Sequence, residues 1–212
     1  MSADAPIRVM TADDHPLLRE GIASLIETQN DMRLVAEAAT GREAIELFRV
    51  VRPDVILLDI QMPEMSGIDA LIAIRNEFPV AKVVILTTYG GDVLAQRALK
   101  AGAHAYVLKG LVRKELLDTI RAVHNGLKRI HPDVASALAT HIGQEPLSER
   151  EIEVLRLVAV GNSNKQIGLQ LSISEQTVKA HLKHIIAKLG ANDRTHAVTL
   201  ALERGILTQV PE

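Results

Sequence analysis

Residues 53–67 read PDVILLDIQMPEMSG, and the five residues Val55–Asp59 (VILLD) at their centre decide the fold. They are apolar without alternation until the closing aspartate, the pattern of a central parallel strand covered on both faces. Working outward, Lys82–Thr87 (KVVILT) repeats the pattern, and Ile7–Ala12, Met32–Ala38 and Ala105–Lys109 read as three further strands. Amphipathic segments alternate with them: Pro16–Thr28, Arg42–Val51, Ile68–Phe78, Asp92–Ala101 and Lys114–Asn125. Pro16 near a first turn, Pro79 after Phe78, and Gly102 and Gly126 just past helix ends punctuate the series. Five βα units in succession predict an α/β domain with a doubly wound, five-stranded parallel sheet over residues 1–126.

The pattern changes after Gly126. Residues 127–146 contain Pro132, Gly143 and Pro146 around a short helical stretch, Val134–His141, and read as a linker carrying one helix. From Leu147 to the end no strand signal occurs. Four helical segments are broken at Gly161-Asn162, Ser172–Ser174 and Gly190–Asp193, so residues 147–212 read as a small all-α domain.

Composition narrows the function classes. The 212 residues include no Cys, which excludes disulfides, thiolate metal sites and a cysteine nucleophile. Aromatic residues are 2% and Trp is absent, which argues against a base-stacking single-strand binder. The formal net charge is −2, so there is no global basic field, although residues 146–212 carry eight Lys and Arg against seven Asp and Glu. No apolar run reaches the roughly 20 residues needed to span a bilayer, and Met1–Asp4 lacks a basic, apolar leader. The expectation is a soluble cytoplasmic protein without membrane contact.

Ligands of doubly wound sheets bind at the carboxyl ends of the strands. Asp13 and Asp14 follow the first strand, Asp59 ends the third, Thr87 the fourth and Lys109 the fifth. Taken singly, each has an ordinary reading. A strand-end Asp commonly caps a helix, and Asp13-Asp14 before the Pro16 helix could do only that. A lone Lys is usually a solvated charge and a lone Thr a β-former. Five compatible residues at the ends of four strands instead predict one acidic pocket. Clustered carboxylates call for a hard cation, and Mg²⁺ suits oxygen ligands. A carboxylate beside it can attack phosphorus to give an acyl phosphate, with Thr87 and Lys109 on the oxygens.

The segments ADDHP (12–16), VILLDIQMPEMSG (55–67), ILTTY (85–89) and GAHAYVLKG (102–110) closely resemble the receiver domain of bacterial response regulators, of the NarL/FixJ subfamily, over residues 7–125. The resemblance implies a flavodoxin/CheY-like fold with Asp59 as phosphoacceptor. It implies Mg²⁺ held by Asp14, Asp59, the backbone carbonyl of Gln61 and, directly or through water, Asp13. Thr87 and Lys109 match the phosphate-sensing hydroxyl and lysine, and Tyr106 the switch aromatic, expected to follow Thr87 inward on phosphorylation. Gln61 and Tyr89 fall where they would flank the path of hydrolytic water. Gly110, where many receivers have Pro, and Ala105, where many have Gly, depart from the pattern outside the acidic pocket.

In the helical tail, Ser148 and Glu151 form a capping-box pattern, and Ile152, Leu155, Val158 and Ala159 share one helical face. Asn164–Leu171 is a second short helix. A third follows the Ser172–Ser174 turn, with Ser174 and Thr177 as competing caps; Val178, Leu182, Ile185, Ile186 and Leu189 face inward. Lys179, His181, Lys183, His184 and Lys188 remain for the outer arc. A basic helix after a tight turn fits helix-turn-helix recognition of the major groove, while the ordinary reading is a solvated polar face. Residues 147 to about 207 are similar to the LuxR-type four-helix helix-turn-helix domain. That resemblance assigns base-edge contacts to Lys179, Ala180 and Lys183. It assigns backbone contacts to Thr177, Lys188, Asn164 and Lys165, and a dimer-forming role to the helix Thr195–Arg204. His15, His104, His124 and His131 match no metal spacing and read as ordinary surface or loop residues.

These resemblances imply a two-component response regulator rather than an enzyme, one that catalyses only its own phosphorylation and dephosphorylation. It would take phosphate from a sensor histidine kinase on Asp59, dimerise and bind inverted repeats in promoter DNA, with RNA polymerase as a further partner. A haloacid-dehalogenase-type phosphatase would need an acid two residues after the nucleophile, where Gln61 stands. A phosphorylation-independent regulator, with the receiver as a dimerisation scaffold, would usually have lost part of the acid set.

Overall fold

The computed structural model describes residues 5–88, 91–141 and 143–207, the Lys114 side chain excepted. The chain forms two compact units, the second beginning at Ser136 for the bulk of its residues. That boundary falls inside the stretch expected to be a linker.

The first unit contains β1 (Ile7–Ala12), α1 (Pro16–Glu27), β2 (Met32–Ala38), α2 (Gly41–Val51), β3 (Val55–Asp59), α3 (Gly67–Glu77), β4 (Val83–Thr87), α4 (Asp92–Lys100), β5 (Ala105–Leu108), α5 (Val112–His124) and β6 (Arg129–Ile130). The sheet is wholly parallel, in the order β2-β1-β3-β4-β5-β6. β3 and β4 are buried along their whole length, as the unbroken apolar runs predict. One face is covered by α1 through Ile22 and Ile26 and by α5 through Leu116, Ile120 and Val123. Both sets recur at helical spacing, so one stripe of each helix meets Val9, Val55, Leu57, Val84 and Leu86. Truncating Ile120 in this cluster to Ala costs about 2–5 kcal/mol.

Among the described residues the sheet has six strands, not the expected five. β6 lies in the stretch read as linker plus helix, and pairs with β5 through Ala105↔Arg129 and Tyr106↔Ile130. The Arg129 N–H donates to the His104 carbonyl at 2.9 Å. The physical reason is the open edge of β5, whose unpaired peptide groups accept any passing extended segment. Two residues are too few for a periodicity to show in sequence. β5 also ends one residue early, at Leu108, and Lys109–Leu111 form a 3₁₀ turn before α5.

The β3–α3 connection brings the chain back against the end of β3. Gly67 N–H donates to the Ile60 carbonyl at 2.9 Å, and a Cβ on Gly67 would stand 1.8 Å from the Asp59 carbonyl oxygen. Only glycine permits this approach. Ser66 then caps α3, accepting from the Asp69 N–H.

Beyond α6 (Pro132–Thr140), the second unit holds α7 (Glu149–Ala159), α8 (Asn164–Leu171), α9 (Glu175–Leu189) and α10 (Arg194–Glu203). Val154, Leu155, Val158, Ile167, Val178, Leu182, Ile185, Ala197 and Ala201 form its core. Serines set the starts of α7, α8 and α9. Ser148 with Glu151 and Ser163 with Gln166 make reciprocal capping boxes, and Ser174 accepts from the Thr177 N–H. Ser174, not Thr177, is therefore the cap of α9. Gly168 lets α8 close on the turn, since a Cβ there would stand 2.7 Å from the Ile173 carbonyl. No helix among the described residues is long and apolar enough to cross a membrane.

Candidate functional site

The carboxyl ends of β1, β3, β4 and β5 converge as a parallel sheet requires. Asp13 is 0% and Asp59 1% exposed, and Thr87 is buried beside them in the register of the sheet. Lys109 reaches across from the end of β5, its Nζ lying 2.7 Å from Asp59 Oδ2 and 2.8 Å from Asp13 Oδ2. Ligand atoms of Asp13, Asp14, His15 and Asp59 all lie within 4.8 Å of one another.

Neither aspartate caps α1. The residue preceding that helix is His15, which makes no side-chain cap, and the helix opens on Pro16. Asp13 Oδ1 instead accepts from the His15 N–H at 2.9 Å. The ordinary capping explanation for Asp13-Asp14 is thus removed, and their carboxylates remain for the pocket. His15 is an exposed loop residue, as expected, and its ring faces the two aspartates: Nδ1 lies 3.1 Å from Asp13 Oδ1 and 2.6 Å from Asp14 Oδ1. The signal was present in sequence as three consecutive chelating residues.

Electrostatics follow from burial. Loss of solvent, reinforced by the charge of Asp13, raises the Asp59 carboxyl to about 6, although Lys109 and the Gln61 N–H pull it down. Burial also opposes the charge on Lys109, but the two carboxylates outweigh it and hold its ammonium above the usual value. Asp13 Oδ2 is buried and accepts no hydrogen bond of good geometry, facing Lys109 as an ion pair. A buried oxygen with an unused lone pair, among three carboxylates, fits a hard cation bound through oxygen.

Tyr106 is 1% exposed and burial raises its phenol to about 12, against a hydrogen bond with the Thr87 side chain. The inward position expected to follow phosphorylation is therefore already the position this structure shows. Gln61 meets Asp59 through its backbone N–H. Tyr89 lies outside the described residues.

The second candidate site is the outer arc of α9. Lys179, Ala180, Lys183 and His184 are exposed and His181 is half-buried, while Val178, Leu182 and Ile185 face the core. Lys179 pairs with Glu175 one turn back, at 3.0 Å. Thr177 is exposed and its hydroxyl lies 2.7 Å from Ser174 Oγ. At the start of α8, Lys165 is exposed and Asn164 half-buried, with a buried Oδ1 that accepts no hydrogen bond. Lys188 does not join this arc. Its ammonium is turned onto Glu151, Glu145 and the Pro146 carbonyl, so the backbone contact expected of it lacks support in the geometry.

Comparison with known proteins finds two families along the chain. The response regulator receiver domain family matches residues 9–121, and the luxR family of bacterial regulatory proteins matches residues 145–201. An uncharacterized transcriptional regulatory protein of Bacillus subtilis, YxjL, is 41% identical over 212 residues, covering 95% of this chain and 97% of its own length. The response regulator protein VraR of Staphylococcus aureus is 37% identical over 206 residues, covering 95% and 99%. Among solved structures, the response regulator ChrA of a heme-sensing two-component system aligns with a TM-score of 0.58 and 39% identity, over 96% of this chain and 100% of that one. RcsB of Salmonella enterica serovar Typhimurium, bound to a promoter in the presence of a phosphomimetic, aligns with a TM-score of 0.71 and 26% identity, over 94% and 98%.

Proposed function

The chain belongs to the response regulators that join a receiver domain to a LuxR-type DNA-binding domain, and from that premise we propose that Asp59 is its phosphoacceptor and α9 its DNA-reading helix. The observation that carries the first assignment is Lys109 Nζ, held 2.7 Å from Asp59 and 2.8 Å from Asp13. A cation fixed at that point meets the oxygens of a phosphoryl group arriving on Asp59.

The step is an in-line displacement. One Asp59 oxygen forms a bond to phosphorus, and the bond from phosphorus to the donor breaks, its electrons leaving with the donor. The donor is the phosphorylated side chain of a sensor histidine kinase. Asp13, Asp14 and Asp59, with the Gln61 carbonyl, would hold Mg²⁺, which supplies positive charge against the phosphoryl oxygens. Lys109 neutralises a second oxygen and Thr87 donates its hydroxyl to another. Thr87 then leaves its bond with Tyr106, and the change on β5 shifts the protein between two surface states. The phosphorylated chain dimerises and places one α9 in each half of an inverted repeat, in cytoplasmic contact with promoter DNA and RNA polymerase.

Acetyl phosphate with Mg²⁺ tests the assignment. Peptide mass spectrometry should place the phosphoryl group on Asp59 and find none in Asp59→Asn; modification at another residue refutes it.

A further inference from the structure

Lys188 stands one residue before the end of α9, and its side chain is spent on its own domain. Nζ lies 2.9 Å from Glu151 Oε2, 3.0 Å from Glu145 Oε1 and 3.3 Å from the Pro146 carbonyl oxygen. An ammonium has three hydrogens; here it donates to Glu151 and the Pro146 carbonyl and faces Glu145 as an ion pair. Only 18% of the side chain is exposed.

Glu151 gives this contact its weight. It is 4% exposed, and the oxygen facing Lys188 also accepts the Ser148 N–H at 2.7 Å and the Ser148 hydroxyl at 3.0 Å. One carboxylate therefore starts α7 and holds the end of α9. Burial works against its charge, but the bonds from Ser148 and Lys188 keep its carboxyl below the usual value. Removing Lys188 would leave this charge buried without its counter-ion. Glu145 and Pro146 are the last residues of the interdomain stretch, so the same ammonium gathers three parts of the domain.

We propose that Lys188 is a positioning residue for DNA recognition: it anchors the end of α9 so that Lys179 and Lys183 meet the groove at a set angle, and it contacts no phosphate. Both lysines ride on the same helix within ten residues of it. The inference rests on the DNA-binding reading above.

The test uses the full chain, phosphorylated with acetyl phosphate, and a duplex selected by the wild-type protein from a random-sequence pool. Failure to select any duplex overturns the DNA-binding reading and this inference with it. With a duplex in hand, Lys188→Gln should weaken binding about tenfold, the scale of one charge-assisted bond, while its plot of log affinity against log salt stays parallel to wild type. Lys183→Ala, by contrast, should make the plot shallower by about 0.9 for one lost phosphate or base-proximal charge. Glu151→Gln added to Lys188→Gln should cost little more than either change alone, and Lys188→Arg should restore part of the affinity. A shallower plot for Lys188→Gln, or full additivity with Glu151→Gln, overturns the proposal. Should Lys188→Gln fail to fold, nitrogen-15 NMR of the wild-type lysine ammonium groups decides. The Lys188 signal should stay in place on DNA addition while those of Lys179 and Lys183 move, and a coupling from Lys188 to DNA phosphorus refutes it.

Discussion

Lys109 and Lys183 are the same residue type put to work in opposite surroundings. Lys109 sits between two carboxylates that are 0% and 1% exposed, at 2.8 and 2.7 Å. Lys183 lies on the exposed arc of α9. In the pocket, burial makes every charge expensive and every pairing strong, so ionisation is displaced and geometry is rigid. On the arc, water and salt screen each charge, and binding gains come from many weak contacts with a partner of opposite sign. The lesson is that a receiver's chemistry is concentrated in a few irreplaceable atoms, whereas DNA reading is spread along a surface.

This contrast ranks the consequences of substitution. Lys109→Ala removes the cation held between Asp13 and Asp59 and, on the role proposed for it, should slow phosphorylation by acetyl phosphate about 100–1000-fold, the scale of losing one preorganised donor. Rates from phosphate-affinity gels check it; a loss below tenfold would break the claim that the pocket concentrates its chemistry.

The next effect is on stability. Asp59 has its folded value raised to about 6 from 3.8. The folded state therefore holds the proton more tightly. The stability it contributes is full below about 4 and is lost as pH rises through about 6. Asp59→Asn escapes that loss, so its advantage in denaturant melts should grow between these limits and level off at about 2–3 kcal/mol. Phosphorylation of the wild type should fall over the same window as pH drops, because the protonated carboxyl is not a nucleophile. A constant difference between the two proteins from pH 4 to 8 would show that Asp59 is not buried at a cost.

Smaller effects belong to the arc. Lys179→Ala should lose about 1–3 kcal/mol of discrimination at particular base pairs, since a lysine reaching guanine O6 and N7 reads sequence. Lys165→Ala, at the start of α8, should weaken all duplexes alike and flatten the salt dependence by about one unit. Binding across operator variants and salt concentrations separates them. Uniform loss for Lys179→Ala would move that lysine from base reading to the backbone.

Much of this was legible in the chain. VILLD and KVVILT announced buried strands because a strand covered on both faces admits no alternation. The strand-end aspartates, Thr87 and Lys109 were readable because a parallel sheet brings all its carboxyl ends to one edge. The Ser148–Glu151 box was readable because capping is local, and the Ser163–Gln166 box carried the same signal unread. Two features were not legible. β6 depends on the open edge of β5, which no window of sequence contains. Lys188 has the helical phase of an outer-arc lysine, and only the position of Glu151, 37 residues earlier, draws it in.

The sequence by itself therefore determined the alternation of β1–β5 with their helices, the Ser148–Glu151 cap of α7 and the residue types at the strand ends, because these depend on neighbours within a few positions. The tertiary structure alone decided the distance and burial of each charge pair: Lys109 between the buried Asp13 and Asp59, Lys188 against the buried Glu151. The physical reason is that an ion pair's strength depends on distance and on exclusion of water, and both are properties of packed elements rather than of any segment of chain.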